Sequence, residues 1–165
     1  DVISYSAVIS ACEKGCQWTR AFHIAAEMRS KGVETDVISC NALFSACERC
    51  EQWERAFRLL REMPALNLEV DIISYNAVIS TCEKSAQWER PVGMLVDMRD
   101  QGMDSDVITC NALLSSFEKG AKWDQAFDML RWMCTGSAEP DVISYSAIIS
   151  ACEKCEQWQQ ALVTL

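Results

Sequence analysis

Histidine, positive charge and long apolar runs are what this 165-residue chain has least of. His23 is the one histidine, and neither it nor the scattered acidic residues form a nucleophile–base arrangement. No apolar run approaches the roughly 18 residues that a membrane span requires. The sequence therefore predicts neither an enzyme nor a membrane protein, and it indicates no cofactor and no small-molecule substrate.

Basic residues are outnumbered, with 15 Lys and Arg against 24 Asp and Glu, so the formal net charge is −9. General polyanion binders usually carry a basic surface, and the acidic balance argues against that class. A local basic stripe is still compatible with it, because the distribution of charge matters more than the sum. The chain begins at Asp1 and stops at Leu165 partway through a repeat, so we expect it to be a piece of a longer protein.

Repetition is what the chain has in abundance. The opening segment DVISYSAVISACEK returns as DVISCNALFSACER, DIISYNAVISTCEK, DVITCNALLSSFEK and DVISYSAIISACEK, each copy 35 residues after the last. A fixed period of this kind is typical of a stacked array. We therefore divide the chain, as one repeat domain over residues 1–165, into repeats 2–36, 37–71, 72–106 and 107–141 and a partial repeat 142–165.

The opening segment of each repeat has the composition of a β-strand but the spacing of a helix. Its β-branched and aromatic residues favour a pleated surface. At about 100° per residue, however, Val2, Tyr5, Val8, Ile9 and Cys12 fall on one side. A strand would alternate through residues 7–9, and this segment does not. The spacing predicts a helix.

The second segment of each repeat is also helical by its spacing. Trp18, Ala21, Phe22, Ala25 and Met28 lie at i, i+3, i+4, i+7 and i+10, which is one helical face, and the later repeats keep this spacing. Each repeat is therefore predicted to be a helical hairpin. The fold class is an all-α solenoid of stacked helix-turn-helix repeats.

Turn-forming residues predict where these helices begin and end. We expect N-caps at a hydroxyl residue in each repeat, with the preceding Asp left in the connection: Ser4, Ser39, Ser74, Thr109 and Ser144. Gly32, Gly102 and Asn67 suit the turn out of the second helix. Pro64 should end its helix early, and Pro91 should distort a first helical turn without breaking the repeat.

Ten cysteines would indicate disulfides or a metal site, but the repeat gives most of them a core position. Cys12, Cys47, Cys82 and Cys152 share one phase, which Phe117 occupies in the fourth repeat. Cys40 and Cys110 share another phase, where the remaining repeats have Tyr. Positions that accept Cys, Phe or Tyr are apolar slots. The two C-x-x-C pairs, Cys47–Cys50 and Cys152–Cys155, have no accompanying histidine, so we predict reduced thiols and no metal.

Tryptophan recurs at the start of the second helix. Its five copies lie on the apolar face of that helix, so we predict a core position for Trp18, Trp53, Trp88, Trp123 and Trp158. Base stacking is the alternative. Trp132 replaces an acidic residue at a position that should be exposed, where a partner contact is the functional interpretation.

Three rows of residues remain on the other side of the first helix, and stacking would align them along one groove. They are the isoleucine row (Ile3, Ile38, Ile73, Ile108 and Ile143), the polar row (Ser6, Asn41, Asn76, Asn111 and Ser146) and the basic row (Lys14, Arg49, Lys84, Lys119 and Lys154). Each also has a purely structural interpretation. The isoleucines could be hydrophobic staples, the basic residues beside Glu13 and its equivalents a solvated rim, and the connecting aspartates turn formers.

With these rows in place, the chain resembles the pentatricopeptide repeat family over essentially its whole length. The resemblance rests on the 35-residue period, the opener VISYSAVISACEKG, the Ala-Phe to Met spacing of the second helix and the Glu139–Pro140–Asp141 exit. A tetratricopeptide array would repeat about every 34 residues with a different Trp, Gly and Tyr pattern. The family resemblance implies a right-handed α-solenoid that binds single-stranded RNA, one base per repeat, with the 5′ base at the N-terminal repeat.

In this family a polar residue of the first helix and the last residue of the repeat together select the base. Carried onto this chain, the pairs are Ser6 with Asp36, Asn41 with Asp71, Asn76 with Asp106, and Asn111 with Asp141, and Ser146 has no partner before the chain stops. Asn–Asp resembles a uracil reader, because an amide offers both a donor and an acceptor. Ser–Asp resembles a guanine reader. The implied register is 5′-G-U-U-U-3′.

The resemblance also implies roles for the two other rows and a place of action. Isoleucines of adjacent repeats would sandwich each base, and the basic row would approach the phosphates. The family works mainly in organelles, which implies a chloroplast or mitochondrial protein that acts in transcript processing, stability or translation.

A protein-binding scaffold is the alternative function. Helical-repeat grooves hold peptides, and an acidic groove favours basic partners. In that case the row of Asn41, Asn76 and Asn111 need not correspond to any base order, and Lys-rich peptides should bind better than RNA.

Overall fold

Helical hairpins account for the architecture of this chain. A computed structural model describes residues 1–85, 87–136 and 138–163, without the side chains at positions 158 and 163. Its α-helices are α1 (Val2–Lys14), α2 (Trp18–Ser30), α3 (Val37–Arg49), α4 (Trp53–Glu62), α5 (Ile72–Lys84), α6 (Glu89–Asp100), α7 (Val107–Lys119), α8 (Trp123–Thr135), α9 (Val142–Lys154) and α10 (Trp158–Val163), with a 3-10 turn at Pro64–Leu66. The described residues contain no strand. The predicted all-α fold class is confirmed, so the period prevails over the local strand propensity.

The chain divides into two compact units, residues 1–81 and residues 82–165. In the first unit α1 packs against both α2 and α3, and α3 packs against α4. In the second unit α7 packs against α8 and α9, and α9 packs against α10. Within each unit the first helix of one repeat therefore lies against the first helix of the next, as stacked hairpins require. The single domain over residues 1–165 stays a prediction.

The predicted N-caps are wrong, because the aspartate before each first helix takes that position. Asp1, Asp36, Asp106 and Asp141 are the N-caps of their helices, and each carboxylate accepts from the backbone N–H three residues later. Asp71 accepts from the Ser74 N–H at 2.8 Å in the same way. A carboxylate at this position satisfies an otherwise unpaired N–H and complements the helix dipole. The hydroxyl residues Ser4, Ser39, Ser74, Thr109 and Ser144 are the third residues of their helices.

The turn between the two helices of a hairpin has a left-handed residue that sequence reasoning did not anticipate. In the first repeat this residue is Cys16, with φ 51°, and the Gln17 N–H donates to the Cys12 carbonyl at 2.9 Å. This is the Schellman pattern that commonly ends a helix. Glu51, Ala121 and Glu156 repeat the positive φ. The Gln-Trp pair of most repeats thus contains the last residue of this motif.

The ends of the second helices agree with the predictions made from glycine and proline. Gly32, Gly102 and Asn67 have left-handed φ values of 70°, 73° and 57°. α4 ends at Glu62 with Met63 as its C-cap, and Pro64 then opens the 3-10 turn. Pro91 is the third residue of α6, where a missing N–H removes no intrahelical bond, and the helix continues to Asp100.

The core contains five of the six cysteines that the repeat phase assigned to it. Cys40, Cys47, Cys82, Cys110 and Cys152 are fully buried, whereas Cys12 is half-buried. Burial raises the pKa of the Cys47 thiol to about 12 and that of Cys40, Cys82 and Cys110 to about 11. These thiols are therefore protonated and unreactive at neutral pH. In the described part of the chain, no group of three or more His, Cys, Asp or Glu residues is placed to hold a metal ion.

Tryptophan is less buried than predicted. Trp18, Trp53, Trp88 and Trp123 are half-buried, and the side chain of Trp158 lies outside the described residues. The rings pack between repeats: the Arg55 guanidinium lies 5.6 Å from the Trp18 ring and the Lys122 ammonium 4.7 Å from the Trp88 ring. The prediction of a core position was wrong, because each described ring keeps part of its surface in solvent. Trp132 is 39% exposed, as expected. Within the described ranges, no helix has the length and apolar character that a bilayer crossing needs.

Candidate nucleic-acid interface

The isoleucine row lies in solvent along the first helices. Its five side chains, each the second residue of its helix, are between 59% and 79% exposed. A hydrophobic staple would require a buried side chain just before the N-cap. The staple interpretation is therefore wrong, and the exposed row is an apolar surface without a structural role in its own repeat.

The fourth repeat brings its predicted base-selecting pair into direct contact. Asn111 Nδ2 donates to the two carboxylate oxygens of Asp141 at 3.1 and 3.3 Å. On the other side of the amide, the Ser144 hydroxyl donates to Asn111 Oδ1 at 2.6 Å. Both members of the pair are half-buried, so part of each remains open to solvent. Ile108 lies one helical turn before Asn111 on α7, which places an exposed apolar side chain beside the pair.

Hydrogen bonds keep the Asp141 carboxylate ionised. The backbone N–H of Ser144 lowers the pKa of Asp141 from its ordinary value, and the Asn111 amide adds to the shift, while partial burial opposes it. An ionised carboxylate can only accept hydrogen bonds. Asp141 therefore requires the NH₂ end of the Asn111 amide to face it.

The first repeat connects its pair through a third residue. Ser6 Oγ lies 2.9 Å from Ser39 Oγ, and the Ser39 hydroxyl donates to Asp36 Oδ1 at 2.6 Å. Ser6 Oγ also lies 2.9 Å from the Val2 carbonyl. Ser6 and Asp36 are thus linked across one intervening hydroxyl rather than in contact.

The other predicted selectors are found in more varied surroundings. Asn41 Oδ1 is buried and has no hydrogen-bond partner within the described residues. Asn76 is half-buried on α5, Asp106 caps α7 at its N-terminus, and Ser146 is exposed on α9.

The basic row is engaged with glutamates of the preceding repeat. Lys119 lies 3.0 Å from Glu83 and Lys154 lies 3.0 Å from Glu118, while the Arg49 Nε atom lies 3.4 Å from Glu13. These cations are nonetheless exposed, by 40% for Lys119 and 46% for Lys154. Exposed pairs of this kind contribute little to stability. The cations are therefore placed to exchange a carboxylate for another anion.

Serine hydroxyls complete the same inter-repeat contacts, which sequence reasoning missed. Ser115 donates to Glu83 at 2.8 Å and Ser150 donates to Glu118 at 2.9 Å. In the first unit Ser80 donates to Glu48 at 2.8 Å. The signal was in the sequence, since Ser, Glu and a basic residue recur at fixed places in each repeat, but their contact across repeats depends on the stacking distance.

A groove of about 1040 Å³ lies within the second unit, along the second helices α6 and α8. Its apolar lining includes the exposed side chains Val92, Val96 and Trp132. Acidic residues outnumber basic ones around it, with Glu89, Asp100, Asp104 and Asp128 against Arg99. The groove belongs to the helices that do not contain the three rows.

Chemically, the three rows combine exposed aliphatic side chains, hydrogen-bonding pairs and exposed cations. Such a set can hold a planar polar ring between side chains, contact its edge and bind an anion beside it. Bound RNA requires these three kinds of contact.

Comparison with protein families identifies the repeat. Residues 1–49, 35–84 and 105–154 match the model of the PPR repeat family, and residues 73–103 match that of the PPR repeat. A comparison with curated protein sequences gives no match.

Solved structures share the fold. The pentatricopeptide repeat protein PPR10 from maize superposes with a TM-score of 0.89 at 18% identity, over 98% of this chain and 23% of that one. PPR10 in complex with an 18-nucleotide psaJ RNA element gives 0.82 at 19% identity, over 100% of this chain and 24% of that one. The PPR domain of Arabidopsis thaliana protein-only RNase P 1, in complex with tRNA, gives 0.79 at 15% identity, over 99% and 86%. The chain therefore spans about a quarter of the length of PPR10.

Proposed function

Because the chain belongs to the pentatricopeptide repeat family, we propose that it binds single-stranded RNA along the face formed by its first helices. The observation that carries this proposal is the exposed isoleucine row beside the hydrogen-bonded Asn111–Asp141 pair. An exposed apolar row is unfavourable unless a partner covers it. Solved relatives in complex with an RNA element and with tRNA support RNA as that partner.

Each repeat then takes one base, and the proposed register is 5′-G-U-U-U-3′. Isoleucines of adjacent repeats sandwich the base, and the polar row with its aspartates contacts the pairing edge. Asn111 retains one N–H and one Oδ1 lone pair after its contacts with Asp141 and Ser144. One donor beside one acceptor is the complement of uracil, which supports uracil at the fourth position.

The basic row neutralises phosphates by leaving its glutamates. Lys119 and Lys154 are exposed and held by ion pairs that salt screens readily. With a net charge of −9, the chain should bind RNA weakly at physiological salt and more tightly at low salt.

In the cell we propose a role in the processing, stability or translation of an organellar transcript, in a chloroplast or mitochondrion. Family membership supports this role. Simple occupancy suffices for it, since a bound array of repeats can block a nuclease or hold a transcript open without catalysis.

Fluorescence anisotropy at low salt with labelled RNAs ending in G-U-U-U or G-U-U-G tests the register. Asn111→Ser converts the fourth pair into the Ser–Asp combination of the first repeat. We expect the wild type to prefer G-U-U-U and the variant to prefer G-U-U-G, each by about tenfold, the value of one or two hydrogen bonds. Thr135→Ala, on α8, is the matched control and should leave the preference unchanged.

Equal binding of both RNAs by the wild type and by Asn111→Ser would contradict base reading and leave general electrostatic attraction. A preference for G-U-U-U that Asn111→Ser does not alter would show that the register is wrong.

A protein-binding scaffold is the second candidate, and the groove along α6 and α8 favours it. Its apolar floor and acidic rim suit an amphipathic helix with basic flanks. A fluorescent Lys-rich amphipathic peptide should then bind more tightly than any of the RNAs, and Trp132→Glu should abolish its binding. Tighter binding of G-U-U-U than of the peptide would argue against the scaffold.

A further inference from the structure

We propose that Ser144 is a positioning residue for the base reader of the fourth repeat and sets its preference for uracil over cytosine. Ser144 belongs to the following repeat, as the third residue of α9, and its side chain is fully buried. It therefore does not touch the base. The inference rests on the proposed function, since it concerns how the Asn111–Asp141 pair reads.

The Ser144 hydroxyl proton helps to fix the orientation of the Asn111 side-chain amide. The backbone N–H of Asp141 donates to Ser144 Oγ at 3.2 Å, which leaves the hydroxyl proton to be given elsewhere. The nearest acceptor is Asn111 Oδ1 at 2.6 Å, and Asp141 Oδ1 lies further away at 3.0 Å. Asn111 Nδ2 meanwhile donates to Asp141. The carbonyl end of the amide thus faces a donor and its NH₂ end faces an acceptor-only carboxylate.

An amide that could turn over would read both pyrimidines. Uracil presents a donor at N3 and a carbonyl acceptor beside it, whereas cytosine presents an acceptor at N3 and an amino donor beside it. Turning the amide by about 180° exchanges its donor and acceptor and converts one complement into the other. In this repeat the turned amide would place Oδ1 against the Asp141 carboxylate and would lose the hydrogen bond that the Ser144 hydroxyl donates to Oδ1 at 2.6 Å. Ser144 and Asp141 together exclude the orientation that cytosine requires.

The first repeat shows the same device with a different result. The Ser39 hydroxyl is fully buried and donates to Asp36. The single proton of Ser6 then points inward, either to Ser39 Oγ or to the Val2 carbonyl. What Ser6 offers outward is lone pairs alone, which suits the N–H donors of guanine. In both repeats the buried serine therefore belongs to the hydrogen-bond network that fixes what the reader offers outward.

Removal of the Ser144 hydroxyl should leave the helix intact. Asp141 caps α9 through the backbone N–H of Ser144 at 2.9 Å, and an alanine keeps that N–H. A role in capping predicts no change in base preference on Ser144→Ala. A role in positioning predicts a loss of preference at the fourth base and at no other.

The test measures dissociation constants of wild type, Ser144→Ala and Ser144→Thr for G-U-U-U, G-U-U-C and G-U-C-U. We expect the wild type to prefer uracil over cytosine at the fourth base by about tenfold, and Ser144→Ala to reduce this ratio to about twofold or less, the effect of losing one orienting hydrogen bond. The uracil preference at the third base should be unchanged. Ser144→Thr keeps a hydroxyl at this position and should restore the ratio.

Each result supports or overturns the inference. A full uracil preference in Ser144→Ala overturns the positioning role while the proposed function stands. A wild type without any preference at the fourth base overturns both. If Ser144→Ala does not fold by circular dichroism, Ser144→Cys provides the test, since a thiol is a weak donor. The uracil preference of Ser144→Cys at the fourth base should be weaker than that of the wild type but still measurable. A preference equal to that of the wild type would contradict the inference.

Discussion

The second and fourth repeats have the same predicted reading pair, Asn followed by Asp, yet the structure holds the two asparagines differently. Asn111 is bonded at both ends of its amide, to Asp141 and to Ser144. Asn41 has a buried carbonyl oxygen without a hydrogen-bond partner within the described residues. Leaving a buried acceptor unpaired costs free energy. The Asn41 amide is therefore not oriented by hydrogen bonds in the way that the Asn111 amide is.

The buried serine of the next repeat accounts for this difference. Ser74 gives its proton to Asp71 at 2.7 Å, whereas Ser144 lies closer to Asn111 than to Asp141. Identical residues at identical repeat positions therefore present different hydrogen-bonding groups. Two residues are not sufficient to define a reader, and we expect the fourth repeat to discriminate more strictly than the second.

Packing at the hairpin turn offers the largest contrast between the units. Gly15 and Gly120 occupy the same repeat position, but a Cβ on Gly120 would lie 2.6 Å from Trp88 Cδ1, whereas on Gly15 its nearest contact would be 3.6 Å. Gly120→Ala should lower the free energy of unfolding by about 1–3 kcal/mol, because the ring has to shift. Gly15→Ala should raise it by about 0.4–1 kcal/mol, since φ −86° suits any residue. Urea denaturation followed by circular dichroism measures both.

The expected result is a lower free energy of unfolding for Gly120→Ala and a higher one for Gly15→Ala. If Gly120→Ala were as stable as the wild type, the Trp88 ring would not be packed against the turn of the fourth repeat.

Truncation of the two asparagines compares the readers directly. Asn111→Ala removes an amide that is already oriented, so affinity for G-U-U-U should fall by about tenfold. Asn41→Ala removes an amide that must first leave its buried position, and its loss should be about two- to threefold. Anisotropy titrations at one salt concentration measure both variants. Equal losses would show that RNA arranges both readers alike and that the contrast in the unbound chain has no consequence for binding.

Much of the fold could be predicted from the sequence because the 35-residue period is independent of local propensity. It placed Cys47 and Cys82 in the core and Ile38 in solvent, as observed. The N-caps were mispredicted because Ser39 and Asp36 are both good capping residues, and composition does not choose between them. The choice follows from helix geometry, since a carboxylate three residues earlier reaches the Ser39 N–H.

The site was predictable as rows of residues but not as a network. The spacing placed Asn111 and Asp141 on their elements, and the family resemblance paired them. The contribution of Ser144 could not be predicted, since it depends on which acceptor its hydroxyl approaches more closely. That oxygen lies 2.6 Å from Asn111 Oδ1 and 3.0 Å from Asp141 Oδ1. The engagement of Lys119 with Glu83 likewise depends on how closely the hairpins stack.

The inter-repeat ion pairs differ between the units as well, with 3.0 Å at Glu83 and Glu118 against 3.4 Å at Glu13. Combined Glu83→Gln and Glu118→Gln substitutions should release Lys119 and Lys154 and raise RNA affinity by about two- to fivefold at low salt. The plot of log affinity against log salt should become steeper by about 1.4, or 0.7 for each new phosphate contact. Asp97→Asn with Asp124→Asn, on the second helices, is the charge-matched control. An equal gain in that control would mean that net charge alone acts.

The smallest expected effect is the pH dependence of the fourth pair. Hydrogen bonds from Ser144 and Asn111 lower the pKa of Asp141 below its ordinary value of 3.8, so the ionised form stabilises the folded state. That contribution is present above the ordinary value and is lost as the pH falls through the lowered one. Asp141→Asn should therefore melt slightly below the wild type at pH 7, and the gap should close below about pH 4. Asp128→Asn, whose carboxylate is 78% exposed, should show no such convergence. Thermal melts by circular dichroism across this range measure the gap, and one that stays constant into acid would show that Asp141 acts through its shape as a cap and not through its charge.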